Sequence, residues 1–279
     1  MSTERTIAVM KFGLVATAGF ALTFLPLDRA RAEFEVQEST IDAGEIQLQY
    51  RGAGHTGLSK SDDDEDEKPL RQSQEFELQM SPTSHWLLAF TQGYTVPDGE
   101  TFDINAIEFE TQVEIITLEG DGFGFAMQGG MEQGVGNAPE GSGDFHFGPI
   151  FEYGQGDFLL TNDILFFDEF GPDSEPGVWG VEYSLQAAYN VTDRLMLAVE
   201  AFGEAEDLSS TSFQEQEHYI GPAFYFTWGE DDDEALIEAS ERGVPGKYDE
   251  FTVSFGVLFG LTDASSDVAA KVFVGYEFN

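Results

Sequence analysis

The stretch AIEFETQVEII, residues 106–116, alternates without a break. Ile107, Phe109, Thr111, Val113 and Ile115 fall on one side of an extended chain, and Glu108, Glu110, Gln112 and Glu114 on the other. Successive side chains of a β-strand point to opposite faces, so the stretch reads as a strand with one apolar and one acidic face. A surface strand of a soluble sheet alternates too. The arrangement of the rest of the chain around this strand decides between the two.

Segments of the same kind recur. They are EIQLQYR (45–51), QEFELQM (74–80), WLLAFTQ (86–92), 104–117, 122–133, 145–153, 158–167, VWGVEYSLQAAY (178–189), 195–202, 218–228, 251–261 and 268–278, twelve candidate strands in all. Long connections at 52–71, 95–103, 134–144 and 171–177 alternate with the short ones SPTSH, LEGDG, GQGD and NVTDR. Alternating segments of about ten residues joined by alternately long and short connections are the pattern of a transmembrane antiparallel up-and-down β-barrel. A sandwich also uses many short strands, but nothing in a sandwich calls for this alternation of connections. An even count puts both ends on the periplasmic side. One connection runs against the rule: the acidic stretch 229–250, GEDDDEALIEASERGVPGKYDE, is long where a short turn is due. It reads as an insertion, with one helical turn at 234–242.

The amino terminus differs from everything after it. Arg5 and Lys11 precede the uncharged FGLVATAGFALTFLPL (12–27), and the small-x-small site Ala30-Arg31-Ala32 follows. This is the pattern of a secretory signal peptide spanning residues 1–32, and the apolar run is short of the ~20 residues a spanning helix needs. Residues 33–279 then form the barrel. The chain carries 12 Lys/Arg against 53 Asp/Glu, net −41, and the leader's four cations and two anions take the remainder to −43. Such a charge repels nucleic acid. With 26 Phe, 9 Tyr and 3 Trp it does not indicate disorder. There is no cysteine, so disulfide and thiolate chemistry are excluded.

The strand phases assign the faces. Ile46, Leu48 and Tyr50, Phe76, Leu78 and Met80, Ile107 to Ile115, Val181 to Tyr189, Phe251 to Phe259 and Val272 to Phe278 supply the apolar side. Tyr50, Tyr189, Tyr276 and Phe278 suit aromatic girdles at a membrane interface. No segment reads as a covering helix or plug, so lipid meets the apolar face. The opposite side lines the lumen, with Glu75, Glu77, Glu108, Glu110, Glu114, Glu182, Glu200 and Lys271 as pore-lining candidates, beside Glu45, Glu132, Glu152 and Glu277. Arg51 and Lys271 are the strand-borne cations, with Arg71 and Arg194 near strand ends, too few to neutralise that many carboxylates. Unpaired carboxylates in a dry interior cost several kcal/mol each, so the imbalance calls for a hydrated lumen or for bound cations.

YNVTDRLMLAVEAFGE, HYIGPAFYF and FGVLFGLTDASSDVAAKVFVGYEF resemble proteobacterial outer-membrane barrels of the MetA-pathway phenol-degradation-like transporter family. The resemblance covers the second half of the chain well and the first half in rhythm. It implies a barrel fold and an outer-membrane location, and it carries no catalytic residue. The chain departs from the usual aromatic carboxy-terminus by ending Phe278-Asn279.

The four histidines, His55, His85, His146 and His218, stand in no His-x-x-x-His or His-Glu-x-x-His spacing, and no Gly-x-Ser-x-Gly elbow occurs. The runs DDDEDE (62–67) and EDDDE (230–234) lack the order of an EF-hand loop. No catalytic group, cofactor or metal ligand is therefore expected. The sequence supports an outer-membrane pore for small solutes, passive and cation-preferring. A closed structural or adhesive barrel acting through its loops is the alternative, and an outer-membrane hydrolase the third reading. Expected partners are outer-membrane lipid, lipopolysaccharide, the barrel assembly machinery and a small solute, but no nucleic acid.

Overall fold

A computed structural model of the chain describes residues 34–57, 70–97, 102–136, 138, 141–172, 174, 177–208, 212–229 and 250–278. The leader 1–32, most of both acidic loops and the expected helical turn at 234–242 lie outside the described residues.

Twelve strands form: β1 (Ile46–Thr56), β2 (Leu70–Thr83), β3 (Trp86–Pro97), β4 (Asp103–Ile116), β5 (Gly122–Gly134), β6 (Gly143–Gln155), β7 (Phe158–Phe170), β8 (Trp179–Thr192), β9 (Leu195–Ala205), β10 (Glu217–Gly229), β11 (Glu250–Gly260) and β12 (Val268–Phe278). Each pairs antiparallel with its neighbours in sequence, and β1 pairs with β12 along Ile46↔Phe278 to Thr56↔Val268, closing the barrel. Closure leaves no edge strand with unpaired backbone groups. One 3-10 turn, Phe213–Glu215, precedes β10.

The twelve strands coincide with the twelve read from the sequence, and the correction is one of extent. β1 does not stop at Arg51 but continues through Gly52–Thr56, because Gly52 and Gly54 pair on both sides in the ladder. The first acidic connection is shorter accordingly, and His55 belongs to a strand. Tyr50, expected at a girdle, lies in mid-strand for the same reason. Phe76 covers it, with ring centroids 5.1 Å apart, and it is buried.

One end of the barrel, here the turn end, carries tight connections such as Gly156-Asp157, where Gly156 supplies the positive φ the reversal needs. The other, the loop end, carries longer ones, while the connection between β10 and β11, which runs from Gly229 to Glu250, returns to the turn end. The outer face is apolar. Phe109, Val113, Ile115, Phe224, Phe255, Val257 and Phe259 are exposed. Aromatic residues gather at both ends, with Trp86, Phe123, Tyr153, Phe158, Tyr189 and Trp228 at the turn end and Phe145, Phe147, Phe166 and Trp179 at the loop end. An apolar band between aromatic girdles is the surface a bilayer selects.

The interior holds a second departure from the sequence reading. Residues 34–44 have no regular secondary structure and thread the lumen. Phe34 is buried at the loop end among Ala53, Phe202, Tyr219, Leu258 and Ala269. Its carbonyl accepts a hydrogen bond from Lys271 Nζ at 2.9 Å. Ser39 is wholly buried lower down, where its backbone N–H donates to Glu152 Oε2 at 2.8 Å and Gln112 Nε2 donates to the Glu38 carbonyl at 2.8 Å. Gly44, at φ +83°, turns the chain at the turn end into β1, its N–H bonded to the Ser81 carbonyl at 2.7 Å. The absence of a plug expected from the sequence is therefore corrected. The plug is an extended strand-length segment with neither helical nor period-2 patterning to announce it.

Candidate functional site: an acidic chamber in the barrel

A twelve-stranded barrel is wider than the eight-stranded kind that side chains nearly fill and narrower than the sixteen-stranded kind that leaves a channel. Here the N-terminal segment divides the remaining space, and three polar clusters occupy the wall.

In the first cluster Arg51 is the hub. It is buried, donates from Nε to Glu75 Oε2 at 3.1 Å, and forms ion pairs with Glu77 and with Glu35 of the threaded segment. Thr91 adds a bond to Glu77 at 3.1 Å. In the second cluster Lys271 sits 2.6 Å from the fully buried Glu200 and 4.8 Å from the centroid of the Phe202 ring. Glu200 also accepts from Gln186 Nε2 at 3.0 Å and from the Tyr225 hydroxyl. These two cations thus engage Glu35, Glu75, Glu77 and Glu200. A buried ion pair is tolerable only when its remaining lone pairs are bonded; Glu200 meets that condition through Gln186 and Tyr225, whereas Glu77 Oε1 is buried without a hydrogen-bond partner.

Among the described residues that line it, the third cluster includes no lysine or arginine. A cavity of about 50 Å³ is lined by seven carboxylates (Glu35, Glu108, Glu110, Glu132, Asp144, Asp163 and Glu182) and a single imidazole, His146. Leu165 and Phe167 form its apolar side, and Gln37, Gln128, Tyr183 and Ser184 complete it. The sheet register explains how the carboxylates meet. Glu108 on β4 faces Glu132 on β5, and Glu132 faces Asp144 on β6, so one row across three strands is acidic throughout. In the adjacent inward row Glu110 faces Gly130, and Gly130 faces His146. Gly130 carries no side chain, and the imidazole and Glu110 meet in the space this leaves. A Cβ there would stand 2.4 Å from His146 Nε2 and 2.8 Å from Glu110 Cγ. His146 Nε2 lies 3.1 Å from Glu110 Oε1 and 3.3 Å from Glu108 Oε1, and Nδ1 lies 3.0 Å from Asp144 Oδ1. Asp163, on β7, accepts from Gln128 Nε2 at 2.6 Å. Phe167 packs where Gly180 leaves room for its ring.

Of the sequence-derived candidates, Glu108, Glu110 and Glu182 come together in this chamber. Glu75 and Glu77 join the Arg51 cluster, and Glu200 and Lys271 pair with each other. Glu114 is buried at the turn end, 3.4 Å from the exposed His85. The residues not singled out from the sequence are His146, Asp144 and Asp163 with their glycine neighbour. Each sits on an alternating strand at an inward phase, but only the pairing register places them beside Glu110.

No family model matches the sequence, and no curated protein matches it. Among solved structures, an outer membrane channel from Pseudomonas putida F1 superposes with TM-score 0.55 at 10% identity, over 90% of this chain and 100% of that one. The KdgM porin in complex with oligogalacturonate gives 0.48 at 8% identity, over 84% and 98%, and the NanC porin 0.45 at 10%, over 83% and 99%. At such identities the likeness is one of fold, and it is the first of these that carries it: this chain has a closed antiparallel barrel like that outer membrane channel.

Proposed function

We propose that the chain is an outer-membrane channel for small solutes, passive and cation-preferring, made with a cleaved leader and akin to the MetA-pathway-like transporter barrels its second half resembles. The observation that carries this reading is the chamber itself: seven carboxylates, of which Glu35 is paired with Arg51, and one imidazole line a cavity inside a closed barrel. Walls of low dielectric focus the field of such charges and concentrate counter-ions in the space between them. The apolar outer band and girdles fit a bilayer, and the fold likeness to a bacterial outer membrane channel supports the same placement. The outer strand ends Ile46 of β1 and Phe278 of β12 then lie on the periplasmic side, the loop end outside, facing lipopolysaccharide, with the threaded segment starting from Phe34 at the loop end. The segment 34–44 narrows the path and makes the channel small or gated.

The threaded segment also favours a second reading, a closed structural barrel. Planar-bilayer recording separates the two. The expected result is conductance with a cation-selective reversal potential. Glu132→Gln together with Glu182→Gln removes two cavity charges while leaving His146 and its partners intact. The reversal potential should then move toward zero at low salt and change little at high salt, because the Debye length falls from about 30 Å at 0.01 M to about 3 Å at 1 M. A folded, inserted barrel without any conductance, in the wild type and with residues 34–43 deleted, leaves the structural reading standing.

A further inference from the structure

We propose that Glu108, Glu110 and His146 form a binding site for one divalent transition-metal ion of the Zn²⁺ or Mn²⁺ type. The three side chains present donor atoms that all lie within 4.8 Å of one another. Around a tetrahedral ion with ligands at ~2.0–2.1 Å, neighbouring donors stand about 3.3 Å apart. His146 Nε2 stands 3.1 Å from Glu110 Oε1 and 3.3 Å from Glu108 Oε1, which is that spacing. Two carboxylates with one imidazole suit borderline divalent ions rather than soft thiophilic ones or the all-oxygen sites of calcium.

Three further features fit an ion. First, the other imidazole nitrogen, Nδ1, is held by Asp144 Oδ1 at 3.0 Å. A carboxylate behind a histidine fixes the tautomer that points the Nε2 lone pair at a metal and raises its basicity. Second, Ser184 is among the residues lining the same cavity, is buried to 5% exposure, and its Oγ has no hydrogen-bond partner. An orphaned buried hydroxyl costs about 1–3 kcal/mol. Third, the cavity of about 50 Å³ has room for an ion with one or two waters. The glycine at position 130 keeps this space clear, since any Cβ would strike His146 Nε2. The acidic row Glu108–Glu132–Asp144 supplies the surrounding negative charge. The site is independent of conduction: it would bind metal in an open or a closed barrel.

The competing account is that His146 is an imidazolium bridging the same carboxylates. The test uses the whole folded barrel in detergent, freed of metal with a chelator and titrated with Co²⁺, read by its visible absorption bands. We expect one Co²⁺ per barrel in low coordination with a nitrogen ligand, displaced stoichiometrically by Zn²⁺. His146→Gln and, separately, Glu108→Gln with Glu110→Gln should each abolish that spectrum, and Asp144→Asn should weaken binding about 10–100-fold. Heat-modifiable migration checks that each variant is folded, and the carboxylate double variant serves should His146→Gln not assemble. Weak uptake by the acidic loops gives only the aquo-ion spectrum and survives all these changes. If the wild type shows that spectrum alone, or if the folded variants bind Co²⁺ as the wild type does, the metal site is refuted and the imidazolium account stands.

Discussion

Replacing Phe34 by Ala removes the anchor that holds the threaded segment at the loop end. The ring is 8% exposed and packs against Phe202 and Tyr219 at centroid distances of 5.2 and 5.1 Å, with His55 stacked at 5.8 Å. Truncating a buried Phe costs about 3–5 kcal/mol. The lower figure applies here, because Phe34 stands at the end of a segment that relaxes without disturbing a strand. The remaining anchors are the Lys271 bond to the Phe34 carbonyl, the Arg51–Glu35 pair, the Ser39–Glu152 bonds, the Gln112 bond to the Glu38 carbonyl and the Gly44 bond to Ser81. They work against the cost of ordering the segment, ~1–2 kcal/mol per residue, so a loss of about 3 kcal/mol falls on a narrow margin. At ~1.4 kcal/mol per tenfold, the ratio of docked to undocked segment should fall by about a hundredfold. Single-channel recording in planar bilayers should show longer or more frequent open events. A cysteine placed at Ser39 should react faster with a membrane-impermeant reagent in the Phe34→Ala background. Gly124→Ala should act in the same direction from the other end, since its Cβ would stand 2.4 Å from Ser39 Oγ. Folded barrels of both variants with unchanged conductance and unchanged labelling would refute the assignment of residues 34–44 as the element that narrows the path.

Other expectations concern stability and topology. Lys271→Met leaves the fully buried Glu200 without its counter-charge and should destabilise the barrel by about 3–5 kcal/mol in urea unfolding from lipid vesicles. Combining it with Glu200→Gln should recover most of that loss, and equal stability of single and double variants would argue against the pair. A protease site inserted within residues 62–67 should be cut on intact cells, and one within 231–234 only after the outer membrane is opened; the reverse pattern would invert the barrel. Protein recovered from the outer membrane should begin at Glu33, as amino-terminal sequencing will read.

The strand count, the closure on an even number of strands and the inward phase of Glu75, Glu77, Glu108, Glu110, Glu182 and Glu200 were legible because a strand's side-chain period is two and a one-residue slip would turn every apolar residue inward. That local rule needs no knowledge of neighbours. Pairing is different. That Glu110, Gly130 and His146 share one row, and Glu108, Glu132 and Asp144 the next, depends on how β5 slides against β4 and β6, which the turn at 117–121 and the loop at 135–142 set jointly with packing. The true end of β1 depends likewise on β2 and β12, which hold Gly52 and Gly54 in the ladder although glycine by itself favours a turn. The threaded segment was the least legible. FEVQESTIDAG has no helical spacing, and its order comes from partners scattered over the wall: Lys271, Arg51, Glu152 and Gln112, with the pocket around Phe34. The sequence by itself determined which side of each strand is apolar and faces out, because that is a property of one strand. Only the tertiary structure decided what shares the inner side, because closing twelve strands into a ring brings together carboxylates, one histidine and a stretch of coil that are far apart in the chain.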